Sequence, residues 1–245
     1  MRVLITRPED DAKGLAEKLS ALGVTSRTEP LMVIDYKTKA PNLASSLADA
    51  QALLFTSANG VRAFAGLSDD RTLGVVAVGP ASAKAARDAG FVTVESASGD
   101  VKALADLILK TRTPDAGVLL HVAGTHVAGD LKGRLGQAGF EYRRAVLYEG
   151  KAASTLSRET TAEIMAGTLD GILFYSPRTA TIFADLVAGE TLKMALGAEL
   201  GKMTAYCLSD GVADMARSLS WGRVRVAAHT DEGALLEIIA QDAVA

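Results

Sequence analysis

Ser57 and Ser176 occupy equivalent places in two stretches that read as copies of one another. These are Leu53-Leu54-Phe55-Thr56-Ser57-Ala58-Asn59-Gly60-Val61-Arg62-Ala63-Phe64 and Ile172-Leu173-Phe174-Tyr175-Ser176-Pro177-Arg178-Thr179-Ala180-Thr181-Ile182-Phe183. In each, a short apolar run gives way to a hydroxyl residue and a turn, then to a segment with helical spacing. That pattern belongs to a buried parallel strand that delivers a serine to the mouth of the following helix. Thr56, Ser57 and Asn59 in one copy, and Ser176 with Arg178 in the other, are therefore candidate binding residues. A Ser or Asn here caps the helix, and the free N–H groups it organises can receive a carboxylate or other anion. Capping alone also explains these residue types, so both roles stand. Arg178 offers a charged fork that Asn59 cannot, although an Arg in a surface turn is also simply solvated. Gly79-Pro80 followed by Ser82 forms another small-residue turn, where backbone can approach a ligand closely.

The remaining reactive residues are few. His121 closes the apolar run Val118-Leu119-Leu120; protonated it would bind a carboxylate, and neutral it would hydrogen-bond within a loop. His126 and His229 lie in loop segments, and the single cysteine, Cys207, sits in an apolar strand-like run. Such a scattered set does not make a metal site, so no metal is expected, and one cysteine cannot form a disulfide within the chain. The acidic positions Glu9-Asp10-Asp11 and Asp69-Asp70 fit helix starts and solvated loops rather than a paired-carboxylate hydrolase. No Gly-x-Gly-x-x-Gly turn follows a strand, which argues against a dinucleotide-binding oxidoreductase. A net charge of −3 without a dense basic run, and Trp221 as the single tryptophan, argue against a nucleic-acid partner. No apolar stretch approaches the roughly 18 residues of a membrane span, and the N-terminal apolar run is too short for a signal peptide. A cytoplasmic chain with no membrane partner is expected.

The elements that must position these residues alternate between strand and helix. Val3-Leu4-Ile5, a turn at Thr6-Arg7-Pro8, a helix with Leu15, Leu19 and Leu22, and a stop at Gly23 form one unit. The unit recurs at Val118–His121, with Leu131, Leu135 and a stop at Gly139. Val75–Val78 pairs in the same way with Thr204–Leu208, and Val92-Thr93-Val94 with Val224-Arg225-Val226. Hydrophobic residues make up 49% of the 245 positions and aromatics only 5%, a mixture that suits small parallel sheets covered by helices. The expected fold class is α/β: two similar flavodoxin-like lobes with parallel sheets, joined by a two-stranded β connector. Leu31–Tyr36 and Arg144–Glu149 are rich in β-formers and lie where one lobe hands the chain to the other. One lobe is read as residues 1–33 plus 150–245, the other as 40–144, with 34–39 and 145–149 as the connector. A simple cut near the middle is the alternative. Without Gly/Ser-rich sequence, the connector should act as a two-stranded hinge.

Together these motifs resemble the uroporphyrinogen-III synthase family. The resemblance covers essentially the whole chain and rests on Leu4-Ile5-Thr6-Arg7-Pro8, Phe55-Thr56-Ser57-Ala58-Asn59-Gly60-Val61, Val76-Ala77-Val78-Gly79-Pro80, Leu147-Tyr148 and Tyr175-Ser176-Pro177. No single piece is specific; their order and spacing are. The resemblance implies a two-lobed α/β fold whose first segment belongs to the second lobe. It also implies a cofactor-free cyclisation of the linear tetrapyrrole hydroxymethylbilane to uroporphyrinogen III, with loss of water and inversion of ring D. The substrate carries acetate and propionate groups. The protein must help hydroxide leave, hold the azafulvene curled, and direct attack to the substituted carbon of ring D, largely by positioning and charge stabilisation.

On that resemblance Tyr148 becomes the candidate catalytic residue, its phenol hydrogen-bonding the departing hydroxyl. Packing of a hinge strand is its other reading. Arg7 becomes a cleft residue, with bracing of the loop as an equal alternative. Two places depart from the family pattern. Leu208-Ser209-Asp210-Gly211 stands where a Gly-Pro-Thr-Thr type turn is usual; Ser209 is the candidate for the hydroxyl role, Asp210 adds a negative charge beside it, and which residue replaces the usual Thr stays open. His121-Val122-Ala123-Gly124 stands where an Arg-Gly turn is usual, which makes His121 and Gly124 binding candidates. A monomer is expected. A two-lobed binding protein that closes on an anionic small molecule without chemistry is the competing reading; Tyr148 and the full ordered set of motifs favour the enzyme.

Overall fold

Parallel strands followed by capped helices recur along the whole chain. The structure, a computed structural model, describes residues 1–97, 99–127, 129–189 and 196–244. The strands are β1 (Arg2–Ile5), β2 (Thr25–Thr28), β3 (Met32–Tyr36), β4 (Ala50–Phe55), β5 (Gly74–Ala77), β6 (Val94–Ser96), β7 (Val118–Gly124), β8 (Tyr142–Ala152), β9 (Gly171–Phe174), β10 (Thr204–Cys207) and β11 (Arg223–Val226). The helices used below are α1 (Glu9–Ala21), α2 (Leu43–Leu47), α3 (Ala58–Ala65), α4 (Pro80–Asp88), α5 (Val101–Thr111), α6 (Leu131–Gln137), α7 (Arg158–Met165), α8 (Pro177–Val187), α9 (Asp210–Ala216) and α10 (Glu232–Ala243).

The chain divides into two units, Met1–Val33 with Lys151–Ala245, and Ile34–Gly150. The first holds a five-stranded sheet in the order β11-β10-β9-β1-β2, parallel throughout. Counted along its own strands this is the flavodoxin-like order, whose reversal point lies between β1 and β9. The other sheet runs β3-β8-β7-β4-β5-β6, and its ladders from β8 to β6 are parallel. With β7 counted as its first strand, these five parallel strands repeat the same order, so the second unit is a permuted version of the first. Its reversal point lies between β7 and β4. Strand β3 lies at the edge beside β8, where Lys37 N–H donates to the Leu147 carbonyl at 2.9 Å.

The caps explain why these helices start where they do. Ser57, Asp100, Asp130, Ser157, Ser176 and Asp231 each accept a hydrogen bond from the backbone N–H three residues on. Each such cap contributes about 1 kcal/mol. Alternation along the strands then separates two cores in the second unit. Leu53, Phe55, Leu120 and Val122 face α3 and α4, where the Phe55, Phe64 and Phe91 rings meet at centroid distances of 5.9–6.1 Å. Ala52, Leu54 and Leu119 face α5 and α6 on the other side. Gly60 lets α3 lie directly on β7: a Cβ there would come within 2.9 Å of the Val122 carbonyl oxygen.

Two readings of the strands need correction. His121 does not end its strand, because Val122 to Gly124 continue pairing with β8, and the histidine is enclosed mid-sheet. The expected strand at Val92 begins only at Val94; Val92 is 91% exposed and has no packing to hold it.

Candidate active site

Two faces of one sheet edge carry the polar residues of the second unit. Alternation continues past the end of β4, so Thr56 emerges on the α5–α6 side and Ser57 on the α3–α4 side. Ser57 starts α3 in extended conformation and its Oγ accepts from the Gly60 N–H at 3.3 Å. The same Oγ lies 2.8 Å from the Tyr148 hydroxyl. Asn59, the second residue of α3, accepts through Oδ1 from the Tyr36 hydroxyl at 3.0 Å and from Arg62 Nη1 at 2.8 Å. The Tyr36 and Tyr148 rings lie 6.4 Å apart, tilted.

Tyr148 reaches Ser57 only because β8 carries an extra residue. Ala123 pairs with Val146 but Gly124 pairs with Tyr148, so Leu147 is inserted between them. Strict alternation would send Leu147 and Tyr148 to opposite faces; the shift lets both pack on the α3–α4 side. Gly124 supplies the seat. A Cβ on it would lie 2.7 Å from Tyr148 Cε2 and 2.9 Å from Cζ, inside any tolerable contact. Gly124 is buried beneath the ring, so its role is to admit Tyr148 rather than to offer backbone to a ligand, a correction to the sequence-based expectation.

On the other face His121 is 1% exposed and bridges two hydroxyls: Nε2 lies 3.0 Å from Thr56 Oγ1 and Nδ1 lies 2.6 Å from the Tyr142 hydroxyl. Burial, with the nearby Arg144 charge adding to it, pushes its pKa down to about 4. The imidazole is therefore neutral: of the two sequence-based readings of His121, the protonated one holding a carboxylate is corrected, and the hydrogen-bonding one fits, although mid-strand and not in a loop. Burial likewise raises the Tyr142 phenol, keeping it protonated. Thr56, His121 and Tyr142 line a cleft of about 330 Å³ together with Asp130, Lys132 and Arg144. Arg144 Nη2 donates to the Thr125 carbonyl at 2.7 Å, which places its guanidinium beside the loop after β7.

The other candidates divide. Gly79 stands at the neighbouring strand end as the N-cap of α4, in extended conformation. Ser82 lies inside the first turn of α4 and is 5% exposed, buried like Ala83 and Ala86 of the same helix, and it is withdrawn as a ligand contact. Tyr36, Tyr142 and Arg62 were missed by sequence reasoning. Tyr36 lay in a segment already singled out as strand, and its alternation with Ile34 was the available signal.

In the first unit the corresponding edge carries Arg7, Ser176, Arg178 and Ser209. Ser176 caps α8 through the Thr179 N–H at 3.2 Å, and its Oγ lies 2.7 Å from Thr179 Oγ1. Arg178 follows in the first turn of the same helix, and Ser209 is the N-cap of α9 without a side-chain capping bond. Arg7 lies over the Tyr175 ring at 4.4 Å and pairs with Glu232 at 2.8 Å and Asp11 at 3.4 Å. Two carboxylates already meet its charge, which favours the bracing role.

Two parallel sheets of flavodoxin-like order, with hydroxyl-bearing helix mouths at the strand ends where such folds place their ligands, define a doubly wound α/β protein. Among the described residues no helix is long and apolar enough to cross a membrane. The chain belongs to the uroporphyrinogen-III synthase family: the family model described as Uroporphyrinogen-III synthase HemD matches residues 13–237. It is accordingly an enzyme of porphyrin biosynthesis, a lyase acting on hydroxymethylbilane. Among solved structures, a uroporphyrinogen-III synthetase from Helicobacter pylori is similar at 16% identity, with 98% of this chain and 99% of that chain covered and a TM-score of 0.65. A mutant uroporphyrinogen III synthase from Thermus thermophilus is similar at 18% identity, covering 100% and 99%, with a TM-score of 0.57. At such identities both likenesses speak to the fold. No curated protein sequence gave a match.

Proposed function

We propose that Tyr148 hydrogen-bonds the departing hydroxyl of hydroxymethylbilane, with Ser57 and the mouth of α3 behind it. The observation that carries this is the 2.8 Å contact between Ser57 Oγ and the Tyr148 hydroxyl at a helix N-terminus. Gly60 N–H donates to Ser57 Oγ. Ser57 then donates its own proton to the Tyr148 oxygen, and the phenol proton is left pointing outward. As the substrate's C–O bond breaks, the pyrrole nitrogen lone pair fills the deficit, and the N–H proton passes to solvent to leave a neutral azafulvene. The leaving oxygen accepts the phenol's hydrogen bond, takes one proton from solvent and departs as water. Attack by the substituted carbon of ring D gives the spiro intermediate, which fragments and recloses as uroporphyrinogen III. Thr56, Asn59, Gly79, Ser176, Arg178 and Ser209 are read as contacts for the substrate's carboxylates. A cytoplasmic monomer is the reading kept, and the single, buried Cys207 suits that compartment.

The test supplies hydroxymethylbilane and separates the products. Isomer III is expected from the wild type; isomer I alone, the uncatalysed outcome, would defeat the synthase reading. Tyr148→Phe should retain isomer III but lower kcat about tenfold, the worth of one hydrogen bond made in the transition state. Unchanged turnover removes Tyr148 from the mechanism.

A smaller effect checks the cap itself. Ser57→Ala removes the acceptor for Gly60 N–H and should cost about 1 kcal/mol in denaturant unfolding.

A further inference from the structure

We propose that Tyr142, His121 and Thr56 form a one-way hydrogen-bond chain that presents the Thr56 hydroxyl as a donor to a carboxylate of the substrate. Tyr142 and His121 are then positioning residues, acting through Thr56. The inference rests on the reading of this edge as the bilane site.

A neutral imidazole carries one proton, so its two partners must play opposite parts. In one arrangement Thr56 gives its hydroxyl proton to Nε2 and shows only lone pairs to the cleft. In the other, Tyr142 gives its proton to Nδ1, Nε2–H donates to Thr56 Oγ1, and the Thr56 proton is free for the cleft. The distances separate them. The Tyr142 contact is 2.6 Å and the Thr56 contact 3.0 Å. A phenol is a stronger donor than an alcohol, and O–H donors make the shorter bonds while N–H donors sit near 3.0 Å. Tyr142 is therefore the donor at Nδ1, and His121 donates at Nε2. Enclosure of His121 in mid-sheet, at 1% exposure, leaves its two ring nitrogens to these two hydroxyls.

The cleft's charge says what the Thr56 proton meets. Its lining includes Lys132 and Arg144 against one acidic side chain, Asp130. Asp130 is occupied, accepting from the Gly133 N–H at 2.8 Å. A carboxylate placed there meets two cations and one directed hydroxyl donor. An acceptor hydroxyl in the same place would repel it. The chain thus bears on binding and not on the bond-breaking step, which separates it from Tyr148 on the opposite face.

Two measurements test this. In the free wild-type enzyme at neutral pH, ¹⁵N imidazole spectra should show His121 as the Nε2–H tautomer, its signals assigned by their loss in His121→Gln. The Nδ1–H tautomer would overturn the proposal. Under steady state, Tyr142→Phe and Thr56→Val should each raise KM for hydroxymethylbilane about three- to tenfold with kcat within a factor of two, as loss of one binding hydrogen bond requires. Thr56→Ser, which keeps the hydroxyl, should restore most of the KM. Unchanged KM in Thr56→Val would overturn the proposal, as would a fall in kcat alone. Failure of the wild type to make isomer III would sink the synthase reading instead, and the tautomer measurement reads the direction of the chain either way.

Discussion

Gly124→Ala is expected to lower kcat for hydroxymethylbilane by about tenfold, as far as Tyr148→Phe does, and to cost about 1–3 kcal/mol of stability. The added methyl would lie 2.7 Å from Tyr148 Cε2, 2.9 Å from Cζ and 3.2 Å from Cδ2. Ordinary carbon contacts need close to 4 Å, so the ring must tilt by roughly 1 Å. The hydroxyl at the ring's far end moves with it, and the 2.8 Å contact to Ser57 Oγ is lost. Backbone strain plays no part, since Gly124 is not among the positive-φ glycines. The double variant Gly124→Ala/Tyr148→Phe separates the causes. If the methyl acts through the phenol, the double variant keeps the kcat of Tyr148→Phe alone, a strongly non-additive result. Wild-type kcat in Gly124→Ala would show that the glycine is not the seat of the phenol.

The second large effect is on stability against acid. His121 titrates at about 4 in the folded protein, pushed down by burial and then by Arg144. In an unfolded chain a histidine titrates near 6.5. Between those values the unfolded chain takes up a proton that the folded one does not. Stability therefore falls as the pH drops through about 6.5, goes on falling to about 4, and levels off below for this group. The shift corresponds to roughly 3 kcal/mol over the window. Glu163 and Asp49, both held below the usual carboxylate range chiefly by hydrogen bonds from Arg2 and Arg143, make their own losses at lower pH. Amide exchange in β7, followed from pH 7 to pH 4, measures the effect where it arises. His121→Gln, which cannot titrate, should flatten the profile in that window. A wild-type profile already flat between 6.5 and 4 would mean that the ring is protonated without penalty.

Much of the architecture was legible because it rests on local chemistry. The apolar runs of β4 and β9, followed by Ser57 and Ser176 at their helix mouths, combine strand propensity with a capping hydroxyl, and both observed helices start there. Gly23, Gly90 and Gly139 all adopt positive φ after helices, as glycine stops should. The flavodoxin-like class followed from the same alternation of units. Partners in space were harder. Arg7 looks like an anion binder until Asp11 and Glu232 are found beside it, from a neighbouring turn and from the far end of the chain. Ser82 has the residue type of a site, but it is buried in the first turn of its helix. Tyr142 carries no local mark at all, since its significance comes from standing two residues before His121's register partner, Arg144.

What the amino-acid order settled by itself is therefore the set of capped strand-helix units, their two-fold recurrence and the family they spell, because propensity, capping and hydrophobic period act over a few residues. Which hydroxyl meets which was decided only by the tertiary structure. Read by alternation, Leu147 buried on one face would send Tyr148 to the other. The inserted residue in β8 overrides that phase and brings the phenol to Ser57. Register between strands far apart in sequence is set by how whole sheets pack, and it is this long-range choice that turns a tyrosine in a strand into one facing a helix mouth.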